Sequence, residues 1–264
     1  MQLGAKFSDR DMDIAAPPHL SDLRNRAILL DIDGTILYIA PSPRQVWVPT
    51  GLRRILSRLA ELTDGALALV SGRSLNDIDL IFSPLQLAAI GGHGVEIRTA
   101  AHAEPQIQLG SLSTALKRQL AAVAELGPGI LVEDKGYSLA LHYRLAPEQG
   151  QALLAAVTDI CATVPQGTIE MLPGKMVVEV KPAGVTKATA VCELMSYPPF
   201  LGRHPIFIGD DTTDVPVFGI IPEFGGLAYS VGRIIADVDG HFDRPETVRS
   251  WLARIAADGQ GTAE

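Results

Sequence analysis

The sequence predicts an α/β chain: a mainly parallel sheet with its ligand site at the carboxyl ends of its strands, interrupted by an inserted unit with an antiparallel sheet. Three observations predict it. Residues 27–30, 66–70, 87–90, 205–208 and 226–231 are apolar runs without alternation, as expected of strands buried on both faces. Leu52, Ile55, Leu56, Leu59 and Leu62 recur at helical spacing, so an amphipathic helix packs on that sheet. Between residues 100 and 182 the order changes to helix, strand, strand, written twice.

The chain has 264 residues, of which 47% are hydrophobic and 20% charged, which suits one large domain carrying a smaller second one. The expected domains are a core of residues 25–99 and 183–258 and an insert of residues 100–182. Residues 1–24 mix polar and apolar side chains around Pro17 and Pro18 and are expected to be an irregular lead-in. There is no basic segment followed by an apolar stretch at the start and no run long enough to span a bilayer, so a soluble, cytoplasmic protein is expected. A net charge of -8 argues against a nucleic-acid partner. A small anionic ligand would need local cations or a metal. Cys161 and Cys192 fall in helix-like apolar segments and read as small core residues.

The first strand stops at Asp31, Ile32, Asp33 and Gly34. Carboxylates one residue apart at a strand end can share a loop-lined crevice, one placed to attack and the other to handle protons. An Asp-Gly pair also marks an ordinary turn, and the stretch alone leaves both readings open. Pro41, Pro43 and Pro49 make the following segment a loop. The second strand ends in Ser71, Gly72, Arg73 and Ser74. The Ser71 hydroxyl and the amides of a helix start form an anion site, whereas Ser74 serves equally as the cap of a helix over residues 75–81. The third strand closes in glycines around His93, a hinge or a close backbone approach.

In the insert, helices over residues 112–126 and 147–164 precede hairpins around Gly136 and around Pro173 and Gly174. Their strands carry Lys135, His142, Arg144, Lys175 and Glu179. After Pro182 a helix opens at Thr186 and Lys187, where a lysine in the first turn opposes the helix dipole and calls for a counter-anion. The next strand ends in Asp210, Asp211, Thr212, Thr213 and Asp214. Three acids within five residues repel unless solvated or bound to a hard cation such as Mg²⁺. Helix capping explains one of them. Val248, Trp251, Leu252 and Ile255 mark a closing amphipathic helix.

Acids after one strand, a hydroxyl after another, a lysine at a helix start and acids after a fourth, in this order, resemble the haloacid-dehalogenase-like phosphatases. Within them the chain is similar to the trehalose-6-phosphate phosphatase family. The likeness lies in residues 66–94, in Lys135-Gly-x-Ser138-x-x-x-His142-Tyr-Arg144 and in Gly174-Lys175-x-x-x-Glu179-x-x-Pro182. It implies a Rossmann-like catalytic core with an α+β cap of antiparallel sheet and two helices, acting in trehalose biosynthesis. Asp31 would be the nucleophile and Asp33 the acid and base, with Ser71 and Lys187 neutralising the phosphoryl group. Mg²⁺ would be held by Asp31, the Asp33 carbonyl and Asp210, supported by Asp211 or Asp214. Gly72, Arg73, His93, Lys135, Ser138, His142, Arg144, Lys175 and Glu179 would line the sugar site. The implied partners are a small sugar phosphate and, functionally, a trehalose-6-phosphate synthase; the chain is expected to be a monomer. Two residues depart from the family pattern, Val215 after the last aspartate and Ala188 after Lys187, and neither replaces a catalytic atom. A phosphatase for sucrose phosphate or mannosyl-phosphoglycerate would keep the same aspartates but not the insert motifs. A non-catalytic sugar-phosphate sensor has Val215 in its favour and the intact aspartate pair against it.

Overall fold

The computed structural model describes residues 22–40, 45–108 and 110–258. The lead-in expected over residues 1–24 lies outside them apart from its last three residues, of which Leu23 is buried. In chain order the core begins with β1 (Arg26–Leu30), α1 (Leu52–Leu62), β2 (Leu67–Val70), α2 (Leu75–Phe82) and β3 (Ala88–Gly91). Two short strands follow, β4 (Glu96–Arg98) and β5 (Gln106–Ile107). The cap comprises α3 (Thr114–Ala122), β6 (Leu131–Asp134), β7 (Leu139–His142), α4 (Gly150–Ala162), β8 (Ile169–Gly174) and β9 (Val177–Pro182). The chain then returns to the core with α5 (Lys187–Leu194), β10 (His204–Gly209), α6 (Val215–Ile220), β11 (Leu227–Val231), β12 (Gly240–Phe242) and α7 (Pro245–Asp258).

The large sheet has the order β12-β11-β10-β1-β2-β3-β4-β5, parallel from β12 to β3 and antiparallel beyond. Strand side chains alternate between faces, and β1 shows the consequence. Ile28 and Leu30 pack with α1, α2 and α7, whereas Ala27 and Leu29 pack with α5 and α6. The core is thus helix, sheet, helix. No helix among the described residues is long and apolar enough to cross a membrane.

The cap sheet has the order β6-β7-β9-β8, all antiparallel. Leu139, Leu141, Val178 and Val180 meet Leu116 and Leu120 of α3 and Leu153 and Val157 of α4 on one face. Glu179, between two of those valines, therefore points to the other face. That face lies over the carboxyl ends of the core strands.

Several elements differ from the sequence expectation. β4, β5 and β12 carry too few apolar residues to stand out, and β5 extends the large sheet to Ile107, beyond the expected start of the insert at residue 100. α6 is six residues long and follows the acidic loop directly. Cys192 is exposed on α5, while Cys161 is partly buried against the cap core. The first is a correction: α5 turns that side to solvent.

At the antiparallel edge, Arg98 donates to Asp79 of α2 through Nη1 at 2.8 Å and Nη2 at 2.6 Å, and to the Leu87 carbonyl through Nε at 2.8 Å. The arginine side chain is 2% exposed and the aspartate 29%. Removing one partner of a buried pair strands the other charge, at a cost of about 3–5 kcal/mol. Partial exposure of Asp79 places Asp79→Ala near the low end. Chemical denaturation should show a loss of about 3 kcal/mol, whereas the double exchange to Arg98→Met and Asp79→Leu should recover most of it.

Candidate active site

Asp31 follows β1 directly, and its N–H donates to the Ile208 carbonyl of β10 at 2.9 Å, which sets it beside the loop carrying Asp210. Its Oδ1 accepts from Lys187 Nζ at 2.8 Å. Its Oδ2 is buried without a hydrogen-bond partner. Burial raises the Asp31 carboxyl well above the usual range, Lys187 opposing and Asp214 and Asp210 adding to the rise.

Lys187 is the first residue of α5, which Thr186 caps by accepting from the Thr189 N–H at 3.2 Å. The lysine is buried and also reaches Asp214 Oδ1 at 2.7 Å, so the counter-anion expected at that helix start is double. Burial favours its neutral form, but Asp214 and Asp31 prevail and lift its pKa. Ala188 is buried on the same helix. Asp214 Oδ2 accepts from the N–H groups of Asp210 and Asp211 at 3.0 Å each, so both of its oxygens are engaged in holding the loop and the lysine. Asp211 caps the turn that follows by accepting from the Thr212 N–H at 2.7 Å. Val215, which opens α6, is exposed.

Carboxylate oxygens of Asp31, Asp210 and Asp214 lie within 4.8 Å of one another, all three residues buried. Burial raises the Asp210 carboxyl, with Lys175 opposing. Crowded acids, of which Asp31 and Asp210 resist ionisation and Asp31 keeps an unpartnered oxygen, fit a hard divalent cation. Gly34 makes this packing possible: its φ is +92°, and a Cβ there would lie 2.0 Å from Asp210 Oδ2.

Asp33 is clamped by Arg73, whose Nε donates to Oδ2 at 2.5 Å and Nη2 to Oδ1 at 2.7 Å. Ser71 is buried after β2, and its Oγ accepts from the Arg73 N–H at 3.2 Å. Ser74 does cap α2, accepting from the Asp77 N–H at 3.1 Å. Gly72 gives His93 room, since a Cβ would stand 2.2 Å from the ring Nε2. His93 has a left-handed φ of 54° and lies 3.6 Å from Glu179. Burial lowers its pKa despite that carboxylate.

The cap closes the site from above. Lys135 Nζ donates to Glu179 Oε2 at 2.7 Å and to the Gly72 carbonyl at 2.9 Å, bridging cap and core. Ser138 Oγ donates to Glu179 Oε1 at 2.7 Å. Although burial would raise it, Lys135 and His93 hold the Glu179 carboxyl well below the usual range. Arg144 donates to the Ala40 carbonyl and, at 3.1 Å, to the Lys175 carbonyl. Lys175 Nζ donates to Asp210 Oδ2 at 2.9 Å. His142 pairs with Glu133 at 2.7 Å, and that bond holds the Glu133 carboxyl low.

One cleft therefore brings together every residue singled out from the sequence except Ser138 and Asp214, which stand behind it supporting Glu179 and Lys187. Sequence reasoning missed Glu133, which lines the cleft, and the Tyr137 and Glu96 pair beside it. Glu133 shares the period of two with Lys135, a signal that was legible. Tyr137 is buried against Gly92, where a Cβ would lie 1.9 Å from its hydroxyl oxygen.

Residues 29–237 match the family model described as trehalose-phosphatase. The chain is 36% identical over 230 residues to the trehalose-6-phosphate phosphatase of Escherichia coli K12, covering 87% of this chain and 86% of that one. It is 38% identical over 240 residues to a probable trehalose-phosphate phosphatase of Sinorhizobium fredii, covering 89% of each. The fold matches the C-terminal domain of Candida albicans trehalose-6-phosphate phosphatase with a TM-score of 0.76 at 22% identity, over 89% of this chain and 92% of that one. Sequence and fold agree with the arrangement of acids, lysine and cap just described, and the chain belongs to the trehalose-phosphatase family.

Proposed function

We propose that this protein hydrolyses trehalose 6-phosphate to trehalose and phosphate through an aspartyl-phosphate on Asp31, with Mg²⁺ as cofactor. The observation that carries the reading is the buried, unpartnered Oδ2 of Asp31, set against Lys187 within a cluster of acids. Asp31 attacks phosphorus, forming the carboxylate oxygen to phosphorus bond as the bond from phosphorus to the sugar oxygen breaks. Asp33 gives that sugar oxygen its proton, then takes one from the water that cleaves the acyl phosphate. Both Asp33 oxygens accept from Arg73, so one of these bonds opens when Asp33 carries its proton, while the other keeps the carboxyl oriented.

Asp31, the Asp33 carbonyl and Asp210 would hold the ion, with Asp214 steadying the loop beneath and Asp211 available on its outer side. When bound, Mg²⁺ offsets the repulsion between carboxylate and phosphoryl oxygens. Ser71 and Lys187 serve the remaining phosphoryl oxygens. Lys135, Arg144 and Lys175 arrive with the cap as donors for sugar hydroxyls. Glu179, kept ionised by Lys135, is the acceptor among them. Closure excludes water while the phosphoryl group is transferred. On this reading the substrate is the product of a trehalose-6-phosphate synthase.

The test is phosphate release from trehalose 6-phosphate, sucrose 6-phosphate, glucose 6-phosphate and a small aryl phosphate, with Mg²⁺ and after chelation. A strong preference for the first, lost on chelation and restored by Mg²⁺, is expected. Activity that survives thorough chelation removes the metal from the reaction, and a preference for another sugar phosphate removes the substrate. Asp31→Asn should lower kcat by about 10³-fold or more with the fold intact by circular dichroism. Retention of a tenth of the rate is incompatible with covalent catalysis by Asp31. Glu179→Ala should reduce kcat/KM for trehalose 6-phosphate at least about tenfold more than for the aryl phosphate, because only the disaccharide uses the cap. Equal losses on both substrates would show that Glu179 has no part in choosing the sugar.

A further inference from the structure

Two lysines serve the acid cluster, and they differ in kind. Lys187 is 3% exposed and bonded to two carboxylates, so its charge is a fixed part of the core. Lys175 is 58% exposed, bonds to Asp210, and comes from the cap turn between β8 and β9. Its neighbour Met176 holds that turn with a left-handed φ of 62°. Arg144 ties the same turn to the core by donating to both the Lys175 and the Ala40 carbonyls.

We propose that Lys175 is a displaceable cation that occupies the open side of the acid cluster in the metal-free protein, so that loading a divalent cation frees the cap turn. The inference rests on the reading of Asp31, the Asp33 carbonyl and Asp210 as the groups that would hold the metal. An ammonium and a dication compete for the same carboxylate, and side by side they repel. The ammonium is removable because water already surrounds most of its side chain, and the arriving dication takes over the pairing of the buried Asp210 carboxylate. Lys187 cannot yield in this way, since its departure would leave Asp31 and Asp214 buried together without a cation.

Competition for Asp210 is reciprocal: whatever weakens the metal through Lys175 weakens the Lys175 contact through the metal. Because this lysine is anchored in the cap, metal occupancy and cap position become coupled. Release of Lys175 from Asp210 would let the cap turn move, open the cleft to the sugar phosphate and leave the ammonium available to the incoming ligand when the cap closes again.

Calorimetric titration of the substrate-free full chain with MgCl₂ tests this, comparing the parent with Lys175→Met and Asp210→Asn. Lys175→Met should bind Mg²⁺ about threefold to tenfold more tightly, the range expected from removing one partly exposed competing charge. Asp210→Asn should lose most of the binding. Unchanged or weaker affinity in Lys175→Met, with the Asp210 dependence intact, overturns the latch and leaves the metal reading standing. Binding indifferent to Asp210→Asn overturns both. In parallel, amide hydrogen exchange over residues 173–177 should quicken on adding Mg²⁺ to the parent and stay constant in Lys175→Met; slower or unaltered exchange in the parent also overturns the proposal.

Discussion

Two buried carboxylates around one buried ammonium, with a third buried carboxylate beside them, set the terms for the rest of this molecule. Taking Asp31, Asp214 and Lys187 out of water costs several kcal/mol per ion, and only close pairing with further hydrogen bonds offsets it. The sheet supplies that closeness. β1 and β10 are adjacent and parallel, so the acids that follow them emerge side by side. The start of α5 delivers the lysine from the layer beneath, and the backbone N–H groups of Asp210 and Asp211 complete the shell of Asp214. The pairing is not saturated, because Asp31 keeps one oxygen without a partner. That residual demand for positive charge is where chemistry enters the fold.

The cap answers the same demand from the other side. Lys135, Arg144 and Lys175 each bond to a core acceptor: a glycine carbonyl, a loop carbonyl and a carboxylate. None of these contacts is an apolar interlock. The apolar face of the cap sheet is spent on its own helices, leaving a polar face toward the core. A seam made of donors over carbonyls separates at modest cost, because water replaces each bond. The ring of Tyr137 crosses it into the recess at Gly92.

Much of this was legible in the sequence where one residue's chemistry implies another's. Lys187 in a first helical turn called for an anion, and the fold supplies two. Acids at the ends of apolar runs implied one shared edge, and β1 and β10 share it. Ser74 and Ser71 divided the capping and site roles that the tetrapeptide left open. What was not legible is pairing across long separations. Nothing local says that Arg73 would clamp Asp33, forty residues earlier, or that Lys175 would land on Asp210. Short edge strands such as β4 escaped because Glu96, Ile97 and Arg98 carry too little periodicity, and the burial of Arg98 depends on a helix partner that the strand does not reveal.

Gly34 carries a consequence for how variation at this site would register. Its positive φ alone would make an alanine there a modest backbone strain. The space a Cβ would claim is already held by the Asp210 carboxylate, with nothing softer in between. A single methyl group would thus be transmitted, with little loss along the way, into the direction in which an acid points. Damage at Gly34 would surface first as a changed electrostatic landscape and only second as lost stability, so a screen that scores folding alone would pass over the position that governs how the charges converge.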